Sequence, residues 1–227
     1  MLEVRLGDFR RALEGGALEP GSFDVVATDP PYGRARMDLW DALADLSAAV
    51  LRPGGMLMAY AGQAHLDAEL AALSRRLEYR WTLAVELRGS HGIVRGFMNS
   101  WKPVVVYARP PAGRPPLMPV LPDLIRGSGE DKRFHKWGQP ASEMVPVLGA
   151  LAGLVAPGRA ARVLDPMAGG GGILAACAEL GFDCLGYEVD PRAFAALTER
   201  FRASPAGRAA DGSGRAVAGS PRDDQND

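Results

Sequence analysis

The chain has 227 residues, of which 47% are hydrophobic and 23% charged, and its formal net charge is −1. That balance belongs to a globular domain with a sizeable core and excludes a molecule that attracts polyanions by a basic average. Neither of its two cysteines, Cys177 and Cys184, sits in a metal-ligand spacing. Both read as small buried residues in a reduced compartment, and no metal is expected. No secretory signal and no apolar run of spanning length is visible, so the expectation is a cytoplasmic protein without a membrane partner.

In chain order, "LEVRL" (2–6) alternates as a strand and runs into Gly7-Asp8. "FDVVAT" (23–28) is a second strand, ending at Asp29. "LWDALADLSAAVLRPGG" (39–55) has helical spacing and stops at Pro53-Gly54-Gly55. "MLMAYAG" (56–62) reads as a buried strand and "LDAELAALSRRL" (66–77) as a helix. "YRWTLAVELR" (79–88) and "WKPVVVYAR" (101–109) are strands joined by the Gly-rich "GSHGIVRGFMNS" without a helix, so they should form an antiparallel edge. From Pro110 to about Gly138 periodicity dissolves into a proline-crowded, polar insertion. "ASEMVPVLGALAGLV" (141–155) restores a helix. Residues 161–201 then read strand, glycine loop, helix, strand, acidic strand end, helix. Alternating strands and helices predict an α/β domain over 1–203, with an irregular insertion about 110–134 and a disordered tail over 204–227. Between Arg75 and Lys136 stand 12 Lys/Arg against 5 Asp/Glu, a local basic excess that suits a nucleic-acid face or a solvated segment.

"VLDPMAGGGG" follows a strand and opens a helix, the context in which a glycine loop lets backbone approach a ligand. Asp165 at the strand end disfavours a phosphate neighbour, and no "GK[ST]" follows. Glu188 ends the next strand, 23 residues on, where a carboxylate accepts hydrogen bonds from ribose hydroxyls. Asp165 with Glu188 suits a ligand that carries both a cation and a ribose, such as S-adenosylmethionine. A dinucleotide would bring its pyrophosphate to the helix instead.

"DPPY" (Asp29–Tyr32) followed much later by "DPMAGGGG" (Asp165–Gly172) resembles the amino-group DNA methyltransferases, in the circular motif order of their beta class. "HKWGQP" (135–140) and "GYEVDP" (186–191) resemble further motifs of that family, and the likeness spans roughly residues 2–202. The resemblance implies a Rossmann-like methyltransferase fold in one domain, with a mostly parallel sheet of about seven strands and helices on both faces. It implies S-adenosyl-L-methionine as cofactor and DNA as partner; a monomer and a homodimer both stay open. It places the cofactor against Asp8, Asp29, Asp165, Pro166, Met167, Ala168, Gly169, Gly171, Glu188 and Asp190, and the chemistry at Asp29, Pro30, Pro31 and Tyr32. Asp190 has a second reading as the cap of a helix starting at Pro191.

An exocyclic base amine is a poor nucleophile because its lone pair is delocalised into the ring. Asp29 and the Pro30 carbonyl can accept its two hydrogens and favour a more tetrahedral nitrogen. The two prolines fix the backbone that carries these acceptors, and Tyr32 offers a ring for a base turned out of the duplex. No Pro-Cys pair is present, which argues against the covalent route to ring carbons. The "DPPY" form resembles adenine enzymes, so the expected product is a methylated adenine 6-amino group. Cytosine 4-amino methylation, an RNA substrate and a non-catalytic binding module are the alternatives. The family's usual Phe is Met167 here, and the short insertion predicts contacts to few bases. His135 and Lys136 are candidates for cofactor or phosphate contact. The loop with Arg88, Arg95, Trp101 and Lys102 is a candidate to grip DNA, and His65 and His91 are given no role.

Overall fold

The computed structural model describes residues 1–87, 92–111, 121–126 and 141–202. Its elements run β1 (Leu2–Leu6), α1 (Phe9–Glu14), β2 (Phe23–Thr28), α2 (Met37–Val50), β3 (Leu51–Tyr60), α3 (Leu66–Ser74), β4 (Glu78–Glu86), β5 (Ile93–Val94), β6 (Phe97–Met98), β7 (Trp101–Ala108), β8 (Leu124–Ile125), α4 (Ala141–Val155), β9 (Arg162–Asp165), α5 (Gly172–Leu180), β10 (Asp183–Glu188) and α6 (Pro191–Arg202). Eight strands form one sheet in the order β1-β10-β9-β2-β3-β7-β4-β8. Only β7 opposes its neighbours; the other pairings are parallel.

Side chains alternate between two buried faces with the strand period of two. Met56, Met58 and Tyr60 of β3 join Val104 and Val106 of β7 under α4, α5 and α6. Leu57, Ala59, Val105 and Tyr107 turn the other way, onto α1, α2 and α3. Helices therefore cover both faces, as expected for a parallel sheet. Because β1, β10, β9, β2 and β3 are parallel, residues 7, 188, 165, 29 and 61 follow their carboxyl ends on one side of the sheet. Among the described residues no helix is long and apolar enough to cross a membrane, and no group of three His, Cys, Asp or Glu is placed to hold a metal ion.

Several expectations are corrected. The sheet has eight strands, because Leu124–Ile125 of the insertion adds beside Ala84 and Val85. β7 lies inside the sheet between β3 and β4, so the antiparallel pair is not a plain edge. The helix expected over 39–55 ends at Val50, and Pro53-Gly54-Gly55 belongs to β3. There the register jumps from Phe23↔Leu51 to Val25↔Met56, a bulge that takes in the proline and both glycines. The loop between β4 and β7 contains the small hairpin β5–β6, turning through Arg95 (φ 50°) and Gly96 (φ 83°). Helix α1 was not anticipated; six residues show too little periodicity, although Asp8 is an ordinary N-cap. β1 pairs in parallel with β10. The "HKWGQP" stretch, Arg88, His91, most of the insertion and the expected tail lie outside the described residues.

Candidate active site

The carboxyl ends of the parallel strands surround a cavity of about 770 Å³, within the usual range for a small-molecule site. Asp29, Pro30, Pro31 and Tyr32 enter it from the end of β2; Asp165, Pro166, Met167, Ala168 and Gly169 enter from the end of β9. Glu188 enters from β10, and Gly7 and Asp8 from β1. Motifs more than 130 residues apart thus share one cavity because β2 and β9 are neighbours.

Asp165 is buried, and its Oδ1 accepts from Thr28 Oγ1 at 2.9 Å and from the Met167 amide at 3.2 Å. These bonds tie the ends of β2 and β9 and aim the loop. Burial raises the Asp165 pKa to about 7 against the pull of those two donors, and the carboxylates of Asp29 and Glu188 add to the rise. Glu188 accepts from the Gly169 and Asp190 amides, each at 2.8 Å, so it shapes the loop while facing the cavity. Gly171 (φ 77°) carries the turn into α5, where a side chain would strike Leu197 and Phe201.

The Tyr32 hydroxyl donates to Asp29 Oδ1 at 2.5 Å, while 41% of the residue remains exposed. Desolvation of the hydroxyl and the adjoining Asp29 carboxylate push the Tyr32 pKa well up, so it stays a donor. Gly62 passes beside the ring: a methyl group there would lie 3.4 Å from Tyr32 Cδ1 and 3.2 Å from Glu69 Oε1. Glu69 accepts from the Gly62 amide at 2.8 Å, and burial raises its pKa to about 7. The arrangement places an oriented carboxylate and a partly exposed tyrosine in the lining of an acidic cavity.

Of the residues expected in the site, Gly171 and Asp190 are not in the cavity lining. Asp190 instead caps α6, its Oδ1 accepting from the Arg192 amide at 2.7 Å and the Ala193 amide at 3.3 Å. Asp8 lines the cavity, but its carboxylate caps α1 and is ion-paired with Arg10 at 2.7 Å, which holds its pKa down. Sequence reading missed Tyr60, whose hydroxyl donates to buried Glu143 at 3.2 Å, and the rim residues Arg10 and Arg36. A polar-tipped aromatic at a strand end was the only signal for Tyr60.

No protein-family model matches the chain, and no curated protein matches it. Solved structures do. M1.HpyAVI in complex with SAM aligns with a TM-score of 0.68 and 18% identity, covering 88% of this chain and 99% of that one. The two chains share one fold. TTHA0409 of Thermus thermophilus, a candidate DNA modification methylase complexed with S-adenosyl-L-methionine, gives 0.69 and 20% identity over 89% of this chain and 93% of its own. The cytosine-N4-specific PvuII DNA methyltransferase gives 0.70 and 15% identity over 92% and 90%. At these identities the likeness is one of fold.

Proposed function

We propose that the protein transfers a methyl group from S-adenosyl-L-methionine to an exocyclic amine of DNA, the 6-amino group of adenine. One observation carries this reading: Asp29-Pro30-Pro31-Tyr32 lines the same cavity as the 165–169 loop and Glu188. The solved structures of like fold include DNA methyltransferases and complexes with the same cofactor, which supports the class. Because a cytosine-N4 enzyme shares the fold, the support for adenine is the acidic form of the "DPPY" turn.

The residues present fit the cofactor. Burial raises the Asp165 pKa to about 7, and the neighbouring carboxylates of Asp29 and Glu188 add to the rise. A ligand with an ammonium and a sulfonium relieves that field, whereas a phosphate would add to it. Glu188 would hold the ribose, Asp8 and Phe9 would lie near the adenine, and Asp165 with the 166–169 backbone would face the methionine end. The sulfonium, when bound, supplies an electrophilic methyl. Asp29 accepts one hydrogen of the target amine and the Pro30 carbonyl the other, localising the nitrogen lone pair. Tyr32 supplies the stacking surface, and its hydroxyl fixes the Asp29 carboxylate in orientation.

Asp29→Ala should lower methyl transfer from labelled cofactor to DNA by about 100-fold or more, by analogy with loss of one preorganised catalytic hydrogen bond. Tyr32→Phe should lose about 10-fold, the scale of one hydrogen bond to a charged group, and Tyr32→Ala should lose more because the ring goes too. Near-normal turnover by Asp29→Ala would remove amine activation from the account.

A further inference from the structure

We propose that Arg36 and Lys102 clamp the DNA phosphates flanking the nucleotide that stacks on Tyr32; this rests on the DNA methyltransferase reading. The cavity is acidic, so a polyanion can bring a base to it only if unneutralised cations stand at the rim. The cations there fall into two groups. Arg10 is taken up by Asp8 at 2.7 Å and Asp38 at 3.0 Å, and Arg200 Nη1 donates to the Gly170 carbonyl. Arg36 lines the cavity mouth, is exposed, and has no acidic partner among the described residues. Lys102, at the start of β7, holds its Nζ 5.9 Å from the centre of the Tyr32 ring and has no carboxylate partner among the described residues either. One cation beside the Tyr32 ring and a second in the lining of the same cavity thus come from two separate elements.

The contrast with the rest of the basic segment sharpens the assignment. Arg75, Arg76 and Arg80 are ion-paired with Asp41, Asp45 and Glu78 at 3.2, 2.7 and 3.3 Å. They lie at the end of α3 and the start of β4, on the sheet edge away from the cavity. Their charge adds to the count in the sequence but not to the field at Tyr32.

The test is the salt dependence of binding to a labelled mixed-sequence DNA duplex, read by fluorescence anisotropy. Each phosphate contact contributes about −0.9 to the slope of log K against log salt. Arg36→Ala and Lys102→Ala should each make the slope shallower by about 0.9, and together by about 1.8. Arg36→Lys and Lys102→Arg should keep most of it, and Arg75→Ala should leave it unchanged. Calorimetric cofactor binding by each variant reports that it is folded. A double variant that binds cofactor normally with an unchanged slope overturns the clamp. An Arg36→Ala that loses cofactor affinity with an unchanged slope assigns Arg36 to the cofactor and also overturns it. If the wild type methylates DNA while either result holds, the clamp alone fails; if the wild type transfers no methyl to DNA, the underlying reading fails with it.

Discussion

Asp165 is a buried acid whose ionisation a cationic ligand would control. In the free protein its pKa is raised from 3.8 to about 7, chiefly by burial. Folding therefore favours its protonated form, so this group lowers stability as pH rises from 3.8 through about 7. A bound cation favours the ionised form and lowers that pKa. Binding then expels a proton below about pH 7, and cofactor affinity should be full above that pH and fall below it, by up to about tenfold per unit. Calorimetry at several pH values checks this, with proton release measured in buffers of different ionisation enthalpy. Affinity that rises on acidification would show that no cation lies near Asp165. The "DPPY" and "DPM" turns were legible residue by residue because proline, glycine and carboxylate each have few reasons to stand at a strand end. The Tyr32–Asp29 hydrogen bond was not, since nothing in a linear string says where a phenol hydroxyl points.

At the scale of elements, β2 carries chemistry at one end and an anchor at the other. Asp24, near its start, is buried and takes Arg159 at 2.6 Å, Arg52 at 2.6 Å and the Arg162 amide at 2.9 Å. Burial pushes its pKa up, but the Arg159 hydrogen bond, the Arg162 amide and the Arg52 charge outweigh that and hold it below the usual value. Its stabilisation is present above pH 3.8 and is lost as pH falls through the folded value. Asp24→Asn should cost about 1.5–3 kcal/mol in denaturant unfolding yet leave cofactor affinity unchanged, because it lies near the amino end of β2, opposite the end that faces the cavity. Weakened cofactor binding in a folded Asp24→Asn would contradict that separation. Elements with a long single period were legible: α4 has the bounds its sequence predicts, despite Pro146 within it. Those decided by tertiary pairing were not. Leu51–Gly55 looks like a helix end and becomes strand because Leu51 pairs with Phe23 and the Gly54–Gly55 backbone exchanges hydrogen bonds with Arg109, and Leu124–Ile125 is too short to announce itself.

Over the whole molecule, a mostly parallel sheet gathers every proposed reactive group at the carboxyl ends of its strands and places the ion pairs of Asp24 at the amino end of β2. The circular motif order follows from the chain's path: β10 and β1 pair in parallel, with Gly7 donating to the Glu188 carbonyl at 2.8 Å, so the first and last strands close the site together. The basic excess of 75–136 was legible as a count but not as a surface, since ion pairing and sheet direction divide it. The central claim is that this site methylates an adenine amine in DNA. Its most direct test is mass spectrometry of nucleosides from DNA incubated with the protein and cofactor bearing a deuterated methyl group. The account predicts deuterated 6-methyladenine, absent when Asp29→Ala replaces the wild type. Label in 4-methylcytosine would contradict the adenine assignment, and DNA without label would contradict the methyltransferase reading itself.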